Sequence, residues 1–378
     1  MTGKKPIPQN PISTQSNKKI TGLHLKDGSI FQGYSFGYRK PVAGEVVFNT
    51  AMSGYPESLT DPSYQGQILV LTYPLIGNYG VPPMIVENDL LKYYESEKIH
   101  IAGLVISEYS YESSHWNAWR KLSDWLIENQ IPAIGGIDTR QLTKHLRNSG
   151  TMPGKILFPD TSTEFSDPST RDLVREVSTK KITTYGKGRY KIALLDCGVK
   201  FNIIRKLIER DTTVIRVPYD HDLSGIEYDG LFISNGPGDP KQCKTTIETI
   251  KSAYRKDHPI FGICLGNQLM ALAAGGNTYK LKYGHRSHNQ PVMQKGTNRC
   301  FITSQNHGFA TEKESLSKEW KEYFVNINDN TNEGIKHVSK PFFSTQFHPE
   351  ASSGPTDTDF LFDEFISLIQ KNKKNNIQ

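Results

Sequence analysis

The run PIFGICLGNQLMALAAGG, residues 259–276, places Cys264 between Gly262 and Gly266 in a G-x-C-x-G pattern. An apolar stretch precedes it and helical spacing follows. This has the form of a nucleophile elbow, in which a strand ends, turns sharply and enters a helix, lifting one side chain clear. Glycines are required because so tight a turn leaves no room for side chains on either side. A cysteine held there meets a helix N-terminus, whose dipole and free N–H groups favour thiolate over thiol. The same N–H groups, beginning with Leu265, face the place where an oxyanion would form. The opposing reading is that Cys264, like Cys197, Cys243 and Cys300, is a small buried apolar residue. With no C-x-x-C pair and no metal spacing to histidine, neither a disulfide framework nor a metal site is expected.

A thiolate needs a base. His348 in FFSTQFHPEAS is the best candidate, because Glu350 two residues on can hold the imidazole in the required tautomer. Cys, His and carboxylate would then form a triad of the kind that activates acyl-transfer nucleophiles. The chain has eleven histidines, so one beside a glutamate is also what chance provides. A second glycine-rich turn, SNGPGDP at 234–240, lacks the G-x-x-x-x-G-K-[ST] spacing of a phosphate loop. It reads as a plain turn or as a further set of backbone donors beside the cysteine.

These residues need a scaffold, and the second half of the chain supplies one. YKIALLDCG, TTVIRVPY, YDGLFIS and PIFGIC read as strands, alternating with helices at FNIIRKLIERD, TTIETIKSAYRK and GNQLMALAAGG, the last closed by Gly275 and Gly276. Such alternation predicts an α/β fold, a doubly wound and mostly parallel sheet, with ligands gathered at the carboxyl ends of strands. The first half differs. GLHLKDGSIFQGYSFG, GEVVFNT and GQILVLTYP read as short strands, and AMSGYPESLTDPSY as a long loop between them, giving a separate α/β domain rich in strands. SHWNAWRKLSDWLIENQ has Trp116, Trp119, Leu122, Trp125 and Leu126 at helical spacing with Ser114 as N-cap, so one helix with core tryptophans is expected. The domains divide as 21–165 and 189–370, joined by a polar linker at 166–188.

The net charge of +6 is confined to the ends: residues 1–20 and 371–378 carry seven lysines and no acid, leaving 21–370 at −1. A body so nearly neutral offers phosphates no basic stripe, so no nucleic-acid partner is expected. Both ends read as solvated tails, 1–20 being also rich in Pro, Ser, Thr, Asn and Gln. No apolar run reaches membrane-span length and no secretory signal is evident, so the expectation is a cytoplasmic protein without membrane contact.

Taken together and in order, SNGPGDP, GICLGNQL and FHPE resemble the triad-type (class I) glutamine amidotransferase domain. GEVVFNTAMSGYPESLTDPSYQGQILVLTYPLIGNYG, GIDTRQLT and SQNHGF narrow the resemblance to the small, glutamine-hydrolysing subunit of carbamoyl-phosphate synthase, over about residues 21–370. The resemblance implies that Cys264 attacks the side-chain amide of glutamine, with His348 as general base and acid and Glu350 as its orienter. It implies oxyanion donors at the backbone N–H groups of Gly236 and Leu265. It assigns glutamine contacts to Ser63, Gly236, Gly238, Leu265, Gln268, Asn306, Gly308 and Phe309, placing the substrate where the two domains meet. It also implies no cofactor on this chain, and a large-subunit partner that binds ATP and Mg²⁺, uses bicarbonate and receives ammonia through an internal tunnel. Two departures stand out: Asn267 where relatives read C-L-G-H-Q, and YGHRSHNQP in place of a more glycine-rich version. Neither removes a triad group. The rival readings are an amidotransferase serving another synthesis, such as that of anthranilate or purines, and a non-catalytic scaffolding subunit.

Overall fold

The computed structural model describes residues 20–375. The expected N-terminal tail therefore lies outside the described residues, except for Ile20, which opens the first strand. Alternating apolar residues in the first half build a closed seven-stranded barrel. Its order is Ile20–Leu25, Met152–Leu157, Val42–Asn49, Gln67–Leu71, Gly103–Val105, Ala133–Gly135 and Ile30–Ser35. Because side chains alternate across a strand, one set (Leu23, Leu25, Val46, Phe48, Ile68, Val70, Val105, Ile134 and Ile156) clusters inside. The other set, with Val47, Leu69, Leu71 and Leu104, packs against the helices Tyr55–Thr60 and Leu122–Glu128.

The second half forms a ten-stranded sheet. Its centre is parallel, in the order Thr212–Pro218, Tyr190–Asp196, Gly230–Ile233, Ile260–Ile263, Phe342–Thr345. Antiparallel strands extend it on one side, ending in the long hairpin Asn277–Gln294 and Cys300–Glu312. Helices cover both faces: Phe201–Ile208 and Phe360–Asn375 bury Ile204, Leu207, Phe362 and Phe365 on one, Lys244–Ala253 and Leu265–Ala273 bury Ile250, Leu269 and Met270 on the other. This is the doubly wound pattern expected, with an antiparallel extension that the β-α alternation did not announce.

Three local expectations are corrected. The helix read from Ser114 begins at Leu122, and Trp116 and Trp119 are 83% and 76% exposed. Only Trp125 of that trio is core, because the chain turns at His115–Ala118 and then pairs Trp119 and Arg120 with Val81. The C-terminal tail is helical as far as Asn375, with Lys373 paired to Asp229 at 2.8 Å. The linker at 166–188 holds a short helix, Leu173–Val177, and the edge strand Thr183–Tyr185 of the second sheet.

Candidate active site

Two adjacent parallel strands deliver the central pair. Cys264 follows Ile260–Ile263, and His348 comes three residues after Phe342–Thr345, its neighbour in the sheet. The Cys264 N–H donates to the Thr345 carbonyl at 2.8 Å, which ties the turn to that neighbour. Cys264 itself sits at φ 54°, ψ −103°, a conformation L residues rarely adopt, and caps the helix Leu265–Ala273. The flanking glycines are explained by contact. A Cβ on Gly266 would lie 2.3 Å from the Ile233 carbonyl oxygen, and one on Gly262 would lie 2.8 Å from the Gly266 backbone.

Behind the cysteine, His348 Nδ1 donates to Glu350 Oε1 at 2.6 Å. The other ring nitrogen, Nε2, is buried without a hydrogen bond; the Cys264 sulfur is near enough to act on the imidazole, while its own hydrogen bond runs to the Asn306 carbonyl at 3.6 Å. Burial disfavours the imidazolium, yet Glu350 and then Cys264 outweigh it and raise the His348 pKa. Burial likewise works against the Glu350 charge. Lys200 first and His348 next overcome it and hold the carboxyl down to about 2. The Lys200 ammonium reaches Glu350 Oε1 at 3.1 Å and the Ala351 carbonyl at 2.6 Å, in a site where both side chains are almost wholly buried. The resulting line of Cys264, His348, Glu350 and Lys200 can pass a proton from sulfur to imidazole and return it to a leaving group.

In front of the cysteine lies a narrow cleft. Ser63, Gly236, Gly238, Gln268, Asn306, Gly308 and Phe309 line it together with Cys264. Leu265 does not: its side chain packs in the core, leaving only its backbone N–H toward Cys264. Neither that N–H nor that of Gly236 is hydrogen-bonded among the described residues. Ser63 arrives from the barrel, where the loop expected at 51–64 folds into the helix Tyr55–Thr60 and a short turn. Asn235 Nδ2 donates to Ser63 Oγ at 2.9 Å and to Asp61 Oδ1 at 3.5 Å, and Asn306 Nδ2 to Asp61 Oδ2 at 3.0 Å, so these hydrogen bonds stitch the barrel loop to the second domain. Gln268 Nε2 donates to the Phe309 carbonyl at 2.9 Å, as does His307 Nδ1 at 2.8 Å. Asn267, the departure noted above, is buried beneath the cleft and bridges Ser344 Oγ and Gln346 Oε1.

Sequence reasoning missed Lys200, Asp61, Asn235 and Arg286. Lys200 and Asn235 follow strand ends of the parallel sheet, the same signal that marked Cys264 and SNGPGDP. Among the described residues one group of possible metal ligands converges, His285, His307 and Glu333, within 4.8 Å of one another. Those side chains are engaged with Asp329, Gln305, Asn326 and the Phe309 carbonyl, a hydrogen-bonded network that stiffens the hairpin behind the cleft.

Both domains match known proteins in sequence. A family model described as "Carbamoyl-phosphate synthase small chain, CPSase domain" matches residues 23–156, and one described as "Glutamine amidotransferase class-I" matches 193–368. The carbamoyl phosphate synthase arginine-specific small chain of Saccharomyces cerevisiae is 50% identical over 361 residues, covering 92% of this chain and 88% of that protein. The chain belongs to the carbamoyl-phosphate synthase small-chain family. Its second domain is of the class I glutamine amidotransferase type. Animal relatives of this small chain are longer. The carbamoyl-phosphate synthase [ammonia] of Aquarana catesbeiana is 52% identical over 94% of this chain, and the multifunctional protein CAD of Squalus acanthias 55% over 92%. The chain spans only 24% and 16% of those two proteins.

Proposed function

We propose that this small chain hydrolyses glutamine and passes the ammonia to a synthetase chain that makes carbamoyl phosphate. The Cys264 sulfur attacks the side-chain amide carbon, and the oxyanion is met by the N–H groups of Gly236 and Leu265. His348, oriented by Glu350, gives its proton to the departing ammonia; it then takes one from water, which cleaves the glutamyl thioester to glutamate. The observation that carries this reading is the placement of Cys264, on a left-handed turn between strand and helix, against an imidazole already anchored to a buried carboxylate. Bicarbonate, ATP and Mg²⁺ are assigned to the synthetase chain. Fusion in the animal relatives supports a partner of that kind, since there the matched region is a minor part of one long protein. Names of two yeast relatives favour arginine supply as the destination.

A second reading has one observation behind it: some relatives are named for ammonia, so a small chain that shapes the complex without using glutamine must be tested. The intact Cys264, His348 and Glu350 argue for the first. The test is glutamate release from glutamine, by this chain alone and with its synthetase chain, compared with Cys264→Ser. Weak activity alone, stimulation by the partner and loss in the variant are expected; equal release by both proteins would discard the assignment. Residence in the cytoplasm is part of the same reading. Among the described residues no helix is long and apolar enough to cross a membrane.

A further inference from the structure

Arg286 stands on the strand Asn277–Gln294, between two irregularities of its pairing, and enters the wall of the cleft. Its side chain is buried, yet it makes no ion pair among the described residues. Nη1 donates to the Tyr283 carbonyl at 2.9 Å, Nε is buried without a partner, and Nη2 lies beneath Gly308, 3.2 Å from where a Cβ on that glycine would stand. Glu45, the carboxylate acting on it from farther off, is already satisfied by Lys280 at 2.8 Å and by Thr151 and Gln67 at 2.9 Å each. The cleft thus holds a guanidinium whose counter-charge the protein does not supply at contact distance, although a buried cation requires one. A carboxylate is its natural complement, because the planar fork matches two oxygens at once.

Resting on the glutaminase reading, we infer that Arg286 receives the α-carboxylate of glutamine and separates this amino acid from other primary amides. With the amide held at Cys264, the carboxylate lies at the far end of the same cleft, on the Gly308 side. Arg286 is a specificity-determining residue in this scheme and takes no part in proton transfer.

The test uses the full chain assembled with its synthetase chain and three amides: glutamine, 4-aminobutanamide (glutamine without the α-carboxylate) and glutaramate (glutamine without the α-amino group). Arg286→Met is expected to lower kcat/KM for glutamine and glutaramate at least about 30-fold, chiefly through KM. The preference for glutamine over 4-aminobutanamide should collapse by the same factor. Arg286→Lys, which keeps the charge and loses the fork, should fall between. If Arg286 only props the loop at Tyr283, all three amides suffer alike and the preference stands, which overturns the inference. If the unsubstituted complex releases no glutamate from glutamine, the glutaminase reading fails and this one falls with it.

Discussion

Replacing Lys200 by methionine removes a charge and leaves most of the side-chain volume. Lys200 and Glu350 are exposed by only 7% and 0%, so water cannot take over the lost contact at 3.1 Å. Breaking a buried pair from one side costs about 3–5 kcal/mol, because the remaining charge is left uncompensated. For a domain of this size that is a fall of about 6–20 °C in melting temperature. The cost has a pH signature. Glu350 has a folded pKa near 2, below the roughly 4.3 of an unfolded glutamate, so its contribution is present above that value and lost as pH falls through about 2. Lys200 has a raised pKa, so its share is present below about 10.4 and lost only in strong alkali. The melting difference between the wild type and Lys200→Met should therefore be full between about pH 5 and 9 and close toward strong acid. Lys200→Met with Glu350→Gln should regain much of the stability, with a coupling of about 2–3 kcal/mol, while glutamate release stays low because the imidazole has lost its anchor. Calorimetry across that pH range, with glutamate release at neutral pH, reads both quantities. Equal melting at neutral pH, or a difference unchanged down to about pH 3, refutes the electrostatic role given to Lys200.

Two further outcomes follow from the same geometry. Ser63→Ala should raise the KM for glutamine by about tenfold in the assembled complex with little change in melting, since it removes a hydroxyl at the cleft edge; unchanged glutamine kinetics would show that the domains do not share the site. Gly266→Ala forces a Cβ to within 2.3 Å of a backbone oxygen that has no rotamer to yield, so a loss of about 1–3 kcal/mol and an activity drop near 100-fold are expected; wild-type melting and turnover would mean the turn is looser than described.

Local spacing made the elbow legible, since one cysteine between two glycines at a strand-to-helix junction is written within a few residues. The parallel centre of the sheet was legible for a similar reason, each β-α unit being written in one contiguous stretch. Trp116 and Trp119 misled because they continue the period of the helix Leu122–Glu128, and periodicity carries no word of the distant Val81 that pairs with the chain just before that helix. The lysine-rich end was read as a tail, yet the helix Phe360–Asn375 runs into it as far as Asn375, its apolar face anchored earlier by Phe362, Phe365 and Ile369. Arg286 was hidden for another reason. Its place in the cleft depends on strand irregularities on either side, and register is a property of two strands rather than one.

The barrel holds none of the three triad groups, yet its Asp61 and Ser63 reach across the seam to Asn306 and Asn235. Asn306, one of those two partners, also accepts the Cys264 Sγ hydrogen bond through its carbonyl at 3.6 Å. A displacement of that lobe would therefore be felt on the substrate side of the cleft and, through Asn306, at the sulfur as well.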